Sequence, residues 1–395
     1  MAGVGASAAA SSAAVMAAVE DLIPEIQGRT AEIEAERGVP RDLVEKLRAA
    51  GCFRMAVPEL FSGIGCDQSE LFELYETLAV TDASVAWIVM IGSPTPSYLA
   101  PFSRATFRSV YASGPDVILA AALAPTGTAT PVDGGYTVSG RWKWASGGAH
   151  ADWILCNCVL MEDGAPRPGA VPGVPALRSV LLTPAEVERI DTWRVSGLRG
   201  SGSGDIAVRD LFVPEARAAD MFGPPNDDAR QAWAAGTAVG PFVAAVALGI
   251  ARGALDDVIA LAAGEKRRLG AARRMADEGV FQNRLGEADA QLRAARAAFY
   301  AQTRVWEDRA RALPAGASPM DDPLHLATNA TSLWVTRTCA AVVDTAYHAA
   351  GGSAVWDSAN LQRRFRDIHT ATQHISVSDG LFTRRGAALV GAKGA

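Results

Sequence analysis

Twice along the chain the apolar period changes, from helical to strand-like near residue 119 and back near residue 225, and this switch constrains the fold most. Before it, apolar residues at 15, 19, 22, 23 and 26 mark one face of a helix over 15–36. Pro40 opens a second helix over 41–50, which Gly51 stops, and the helical pattern resumes over 69–92. Between the two switches, β-rich runs at 117–122, 136–144, 153–159, 178–182 and 205–212 alternate with turn signals. Such spacing predicts a small barrel or sandwich, with Asp133-Gly134-Gly135 as a hairpin turn. Long Ala-rich segments at 240–263, 283–312 and 323–351 then predict an antiparallel helical bundle. The expected division is a disordered tail at 1–14, a helical domain at 15–118, a central β domain at 119–225 and a bundle at 226–395.

Charge and cysteine usage exclude several functions. The net charge is −6, and the short basic runs (Lys266-Arg267-Arg268, Arg273-Arg274, Arg384-Arg385) sit among acidic residues, as on a solvated helix face. A nucleic-acid surface would concentrate positive charge instead. The five cysteines include no CxxC pair, so neither a zinc site nor a redox dithiol is expected. Cys156 and Cys158, two apart on a strand, point inward together. The Ala/Ser-rich start carries no Lys or Arg, unlike a secretory signal, and no apolar run reaches the ~18 residues of a membrane span. A cytoplasmic protein without membrane, nucleic-acid or metal partners is expected.

Three motifs carry candidate chemistry. Gly200-Ser-Gly202-Ser-Gly204 lacks the strand-before, helix-after context of a dinucleotide loop, since a strand-like run follows it. It is either an ordinary turn or a place of close backbone approach to a ligand. Arg141-Trp142-Lys143-Trp144-Ala145-Ser146-Gly147 ends a strand. Alternating tryptophans usually serve packing; the functional version is a flat wall with a hydroxyl beside it, suited to a planar cofactor. Arg366 to His374 holds two of the five histidines, His369 and His374, whose i, i+5 spacing does not place them together as metal ligands.

In order along the chain, Glu36-Arg-Gly-Val-Pro40 to Pro58-Glu-Leu-Phe-Ser-Gly63, Trp142-Lys-Trp-Ala-Ser146, Gly197-Leu-Arg-Gly-Ser-Gly-Ser-Gly204 with Asp210-Leu-Phe-Val-Pro214, and Gly351-Gly352 with Leu361-Gln362-Arg363 and Arg366-Asp367 resemble the acyl-CoA dehydrogenase superfamily. The resemblance implies a mainly α fold: an N-terminal helical domain, a β-barrel or sandwich domain and a C-terminal four-helix bundle. It also implies a homotetramer with flavin between the β domain and the bundle. An acyl-CoA dehydrogenase needs a carboxylate to remove an α-proton. The two positions where the family places it fall on Ile375 and near Val239, and neither accepts a proton.

His374 instead resembles the histidine of two-component (group D) flavin-dependent monooxygenases. These take reduced FMN or FAD from a separate NAD(P)H-flavin reductase, form a C4a-hydroperoxide with molecular oxygen and oxygenate a small organic substrate. The resemblance makes His374 the peroxide-facing acid–base, Ser146 the contact to flavin N5–H and Trp144 a wall of the ring. It extends cofactor binding to Arg267, Arg268, Gly351 and Gly352, with the arginines reaching a neighbouring subunit's phosphate or simply lying on the surface. Trp87 and Ser93 fall to the substrate side, and His369 is a reserve candidate or a structural cap. The stretch 91–97 holds no ionisable base for a phenol, leaving an aromatic, amine or sulfur substrate open. Two other readings stand beside this one. A dehydrogenase or oxidase with an unidentified base predicts tightly bound FAD that a thioester bleaches. A silent binding or scaffold relative predicts no flavin affinity.

Overall fold

The computed structural model describes residues 11–170, 173–264, 266–267, 272–314 and 316–391. Most of the tail expected at 1–14, and Arg268, lie outside the described residues. Ser11 opens α1 (Ser12–Gly28) by accepting the Ala14 N–H; α2 (Thr30–Glu36) and α3 (Arg41–Ala49) follow. The helix expected over 69–92 is two, α4 (Gln68–Thr81) and α5 (Ala83–Gly92). Asp82 separates them: its backbone is extended, and its carboxylate accepts the Ser84 and Val85 N–H groups at 2.9 and 3.0 Å. The short helices α6 (Thr95–Leu99) and α7 (Arg104–Val110) complete this part.

The strands are β1 (Leu119–Val132), β2 (Gly135–Trp142), β3 (Trp153–Glu162), β4 (Ala165–Pro166), β5 (Leu177–Leu182), β6 (Glu188–Ile190), β7 (Asp205–Pro214) and β8 (Ala218–Asp220). They form one mixed sheet in the order β6-β7-β2-β1-β3-β5-β8, with β4 paired to β3. The path has two ends, β1 and β3 run parallel, and the register of β1 shifts between Ala122 and Gly127. A bulge of that kind bends a strand, so the sheet curls over a core of its own that includes Cys156 and Cys158. Trp142 is the centrepiece of that core: it is fully buried and donates Nε1–H to Asn157 O at 2.7 Å. Two glycines make room for it. A Cβ on Gly127 would stand 2.1 Å from the indole, and one on Gly140 would stand 2.5 Å from Gly127 Cα.

The chain then returns to helix in α8 (Arg230–Gly236), α9 (Gly240–Ala263), α10 (Gly279–Arg311), α11 (Pro323–Ala350), α12 (Asn360–Ala371) and α13 (Gly380–Leu389). The bundle does not have a core to itself. Phe72, Tyr75 and Leu78 of α4 pack in one apolar cluster with Phe242, Val246 and Ile250 of α9 and Val342 of α11. Burial on nearly every side explains why α9 is apolar almost all round. Among the described residues no single helix is long and apolar enough to cross a membrane; α8 and α9 pass that test only as a pair bent by 64°.

Candidate active site

Where α5, the loop after β2 and the segment after α12 meet, three residues separated widely in sequence come together. Trp87 on α5 donates its indole N–H to Ser146 Oγ at 3.2 Å. The same ring meets His374 edge-on, with centroids 5.7 Å apart and planes at 71°. Ser146 and Trp87 are buried, and His374 is half-buried. The β2–β3 loop presents Ser146 through a tight turn in which its N–H returns to Trp144 O at 2.9 Å.

That turn holds Trp144 at φ +63°, a region that costs a non-glycine residue roughly 1–3 kcal/mol. The Trp144 ring is 61% exposed. A flat aromatic face left open beside a buried hydroxyl is a surface and hydrogen-bonding set that fits a planar flavin ring.

His374 is set electrostatically as well as sterically. Its Nδ1 accepts from the Ser376 backbone N–H at 3.3 Å and lies 2.7 Å from the Ser376 hydroxyl. A backbone N–H can only donate, so the neutral ring carries its proton on Nε2. Burial pushes the imidazole down to about 4, so it is uncharged near neutrality. A neutral imidazole donates a hydrogen bond from Nε2 but is not an imidazolium acid at that pH. The chain beside it also walls a cavity of about 270 Å3, with Thr372, Gln373 and Val377 on one side and Leu333 and Thr336 of α11 on the other. A second, larger cavity of about 490 Å3 between α10 and α11 includes Asp344 and His348 and none of the three converging residues.

Sequence reading missed the support behind Ser146. Ser203 Oγ lies 2.6 Å from Ser146 Oγ and 2.7 Å from Ser201 Oγ, and Ser201 in turn donates to Leu198 O at 2.7 Å. All three serines are buried. The signal was present in the alternating Gly-Ser run 200–204, read there only for its glycines. The loop is locked to α12 at its start. Asp367 accepts the Leu198 N–H at 2.6 Å, and a Cβ on Gly197 would lie 2.1 Å from Arg366 O. Burial pushes the Asp367 carboxyl up to about 7 against the pull of Arg363. One helix therefore holds the serine loop at Asp367 and delivers His374 just beyond its C-terminus.

Other sequence candidates lie elsewhere. Ser93 is fully enclosed; it donates to Val89 O and pairs with the Tyr75 hydroxyl, each at 2.7 Å, so it presents no free face to a substrate. His369 pairs with Asp344 at 2.8 Å and packs on Phe365, the contacts of a structural residue. Arg267 is exposed and reaches Ala272 O, and Gly351 and Gly352 are exposed. Lys266 donates to Ser353 Oγ, which places these positions side by side on the surface. Ile375 is 79% exposed, and Val239 only precedes α9. Among the described residues no group of three or more His, Cys, Asp or Glu is arranged to hold a metal ion.

Residues 10–108 match the family described as acyl-CoA dehydrogenase, N-terminal domain, and residues 242–379 match acyl-CoA dehydrogenase, C-terminal domain. The chain is 31% identical over 367 residues to the indole-3-acetate monooxygenase of Pseudomonas putida, covering 92% of this chain and 90% of that one. It is also 31% identical over 405 residues to the oxygenase component of the FADH2-dependent resorcinol hydroxylase of Rhizobium sp. (strain MTP-10005), covering 95% and 93%. The crystal structure of the HsaA monooxygenase from M. tuberculosis superposes with a TM-score of 0.84 at 26% identity, covering 98% of this chain and 99% of that one.

Proposed function

From the premise that the chain belongs to the acyl-CoA dehydrogenase superfamily, in its flavin-dependent monooxygenase branch, we propose that Ser146, His374 and Trp87 form the oxygenation site of a two-component enzyme. The convergence of those three residues carries this reading. Bound reduced flavin supplies two electrons to dioxygen, so that one oxygen atom enters the organic substrate and the other leaves as water. Ser146 Oγ would accept a hydrogen bond from the N5–H of the ring, and His374 would donate from Nε2 to an oxygen placed before it. Trp87 holds Ser146 in place and keeps water from both. The exposed Trp144 would cover one face of the ring. Arg267, beside Gly351 and Gly352, would meet the distal part of the flavin of a neighbouring copy in a homotetramer. A separate NAD(P)H-flavin reductase supplies the reduced cofactor, FAD in preference to FMN by analogy with the FADH2-dependent relative.

An electron-rich aromatic ring is the substrate class best supported, given the indole and resorcinol in the relatives' names. The hydroxyls of 91–97 favour a ring that need not be ionised first. Ser93 is committed within α5, Thr95 to Gly92 O and Ser97 to Ala232 O. An indole meets that condition without carrying an ionisable hydroxyl. The test is to supply reduced flavin enzymatically under isotopically heavy dioxygen and analyse a panel of indoles and phenols by mass spectrometry. Label in an indole product supports the reading. Flavin turnover with no label in any aromatic, together with bleaching by a thioester, refutes it.

A further inference from the structure

The hydroxyl chain behind Ser146 has only one consistent direction. Leu198 O can only accept, and it takes the Trp193 Nε1–H at 3.0 Å and the Ser201 N–H at 3.1 Å as well; at 2.7 Å from Ser201 Oγ two bare oxygens would repel, so the single Ser201 proton also points to Leu198. Ser203 must therefore donate to Ser201 across 2.7 Å. With its one proton committed, Ser203 must accept from Ser146 across 2.6 Å. Trp87 Nε1–H fills one of the two Ser146 lone pairs. What remains of Ser146 toward the site is a single lone pair and no proton.

We propose that Ser201 and Ser203 are positioning residues that lock Ser146 Oγ as a hydrogen-bond acceptor, so that the site selects flavin whose N5 carries a proton over flavin whose N5 does not. This rests on the reading that Ser146 meets N5. Reduced flavin offers N5–H to the lone pair. Oxidised flavin offers a second lone pair, and Ser146 has no proton to turn toward it. A free serine would serve both states by rotating its hydroxyl. Here the rotor is fixed three bonds away by a backbone carbonyl, and the chain is dry: Ser146, Ser201 and Ser203 are 6%, 1% and 2% exposed. Spent oxidised flavin is thereby released in favour of a fresh reduced molecule.

The test is the ratio of dissociation constants for oxidised and reduced flavin, from aerobic and anaerobic titrations followed by tryptophan quenching. Ser203→Ala frees the Ser146 proton, and Ser201→Ala lets the chain reverse. Each is expected to lower the ratio about tenfold, the scale of one neutral hydrogen bond made or opposed, chiefly by tightening oxidised flavin. Ser203→Thr restores the hydroxyl and is expected to restore the ratio. The loop stays tied by backbone bonds that these changes leave alone, Gly147 N–H to Ser201 O and Ala145 N–H to Gly204 O, so reduced flavin binding within a few-fold of wild type reports an intact site. Ser146→Ala separates the two claims. If it lowers the ratio while Ser201→Ala and Ser203→Ala leave it at the wild-type value, the polarised chain is overturned and the N5 contact stands. If Ser146→Ala itself leaves the ratio unchanged, the N5 contact falls and the proposal falls with it.

Discussion

Replacing Asp367 with Asn should make the protein more stable at mildly alkaline pH while changing little in mild acid. Asp367 is 3% exposed, and burial raises its carboxyl from 3.8 to about 7 even though Arg363 pulls the other way. Arg363 is shared with Asp82, which it reaches at 3.1 Å and which burial also pushes up; Glu34 adds further negative charge. Between those two values the folded state holds a proton on Asp367 that the unfolded chain has lost. Stability therefore falls as pH rises through that window and levels off above about pH 7. Each pH unit inside the window corresponds to about 1.4 kcal/mol, so raising pH from about 5 to about 8 costs roughly 2–3 kcal/mol through this group. Asn keeps an acceptor for the Leu198 N–H but carries no charge. Urea unfolding of wild type and variant at both pH values, read by tryptophan fluorescence, gives the difference directly. A variant advantage that grows by that amount with pH is expected. An advantage independent of pH, or a variant that loses ground as pH rises, would refute the assignment and make the Asp367 charge a net stabiliser through Arg363.

Because burial holds His374 at about 4, below the ordinary 6.5, its stability contribution runs the other way: full near neutrality and lost as pH falls from about 6.5 to about 4. The coupling of flavin oxidation to product should accordingly show no inflection near pH 6.5, whereas one that disappears in His374→Gln would contradict the neutral donor. Trp87→Phe keeps the aromatic packing and removes only the 3.2 Å donor to Ser146, so hydrogen peroxide leakage should rise about two- to fivefold, measured against total flavin oxidised. Trp87→Ala should leak more. Gly127→Ala forces a methyl to 2.1 Å from the buried Trp142 ring, and its thermal midpoint should drop by the equivalent of about 1–3 kcal/mol; a variant as stable as wild type would mean the β core yields freely there.

Much of the architecture was legible because period survives in sequence. The helices over 240–263 and 323–351 and the five β-rich runs have strong patterns, and the structure places elements there. The break at Asp82 was hidden because the apolar stripe runs through it, although the cap that makes it is local; the buried carboxylate is also paired with Arg363, 281 positions away. The curl of the sheet depends on a bulge in β1 and on the size of Trp142, neither of which alters a period of two. At the site, Ser146 and His374 could be named from resemblance, and Trp87 from its neighbourhood. Their mutual contact, the tautomer of His374 and the direction of the serine chain are properties of distances between remote segments. Ser93 misled for the same reason: a serine near the right place in sequence turned its hydroxyl back into its own helix.

The central claim is that Ser146 and His374 together manage oxygen on a bound reduced flavin. The most direct measurement loads the anaerobic protein with reduced flavin, mixes it rapidly with oxygenated buffer and follows the release of hydrogen peroxide beside that from free reduced flavin. The account predicts that wild-type protein delays release well beyond the free flavin and that His374→Ala and Ser146→Ala each shorten the delay. Release from the wild type as fast as from free flavin, or a delay that both substitutions leave untouched, would contradict it.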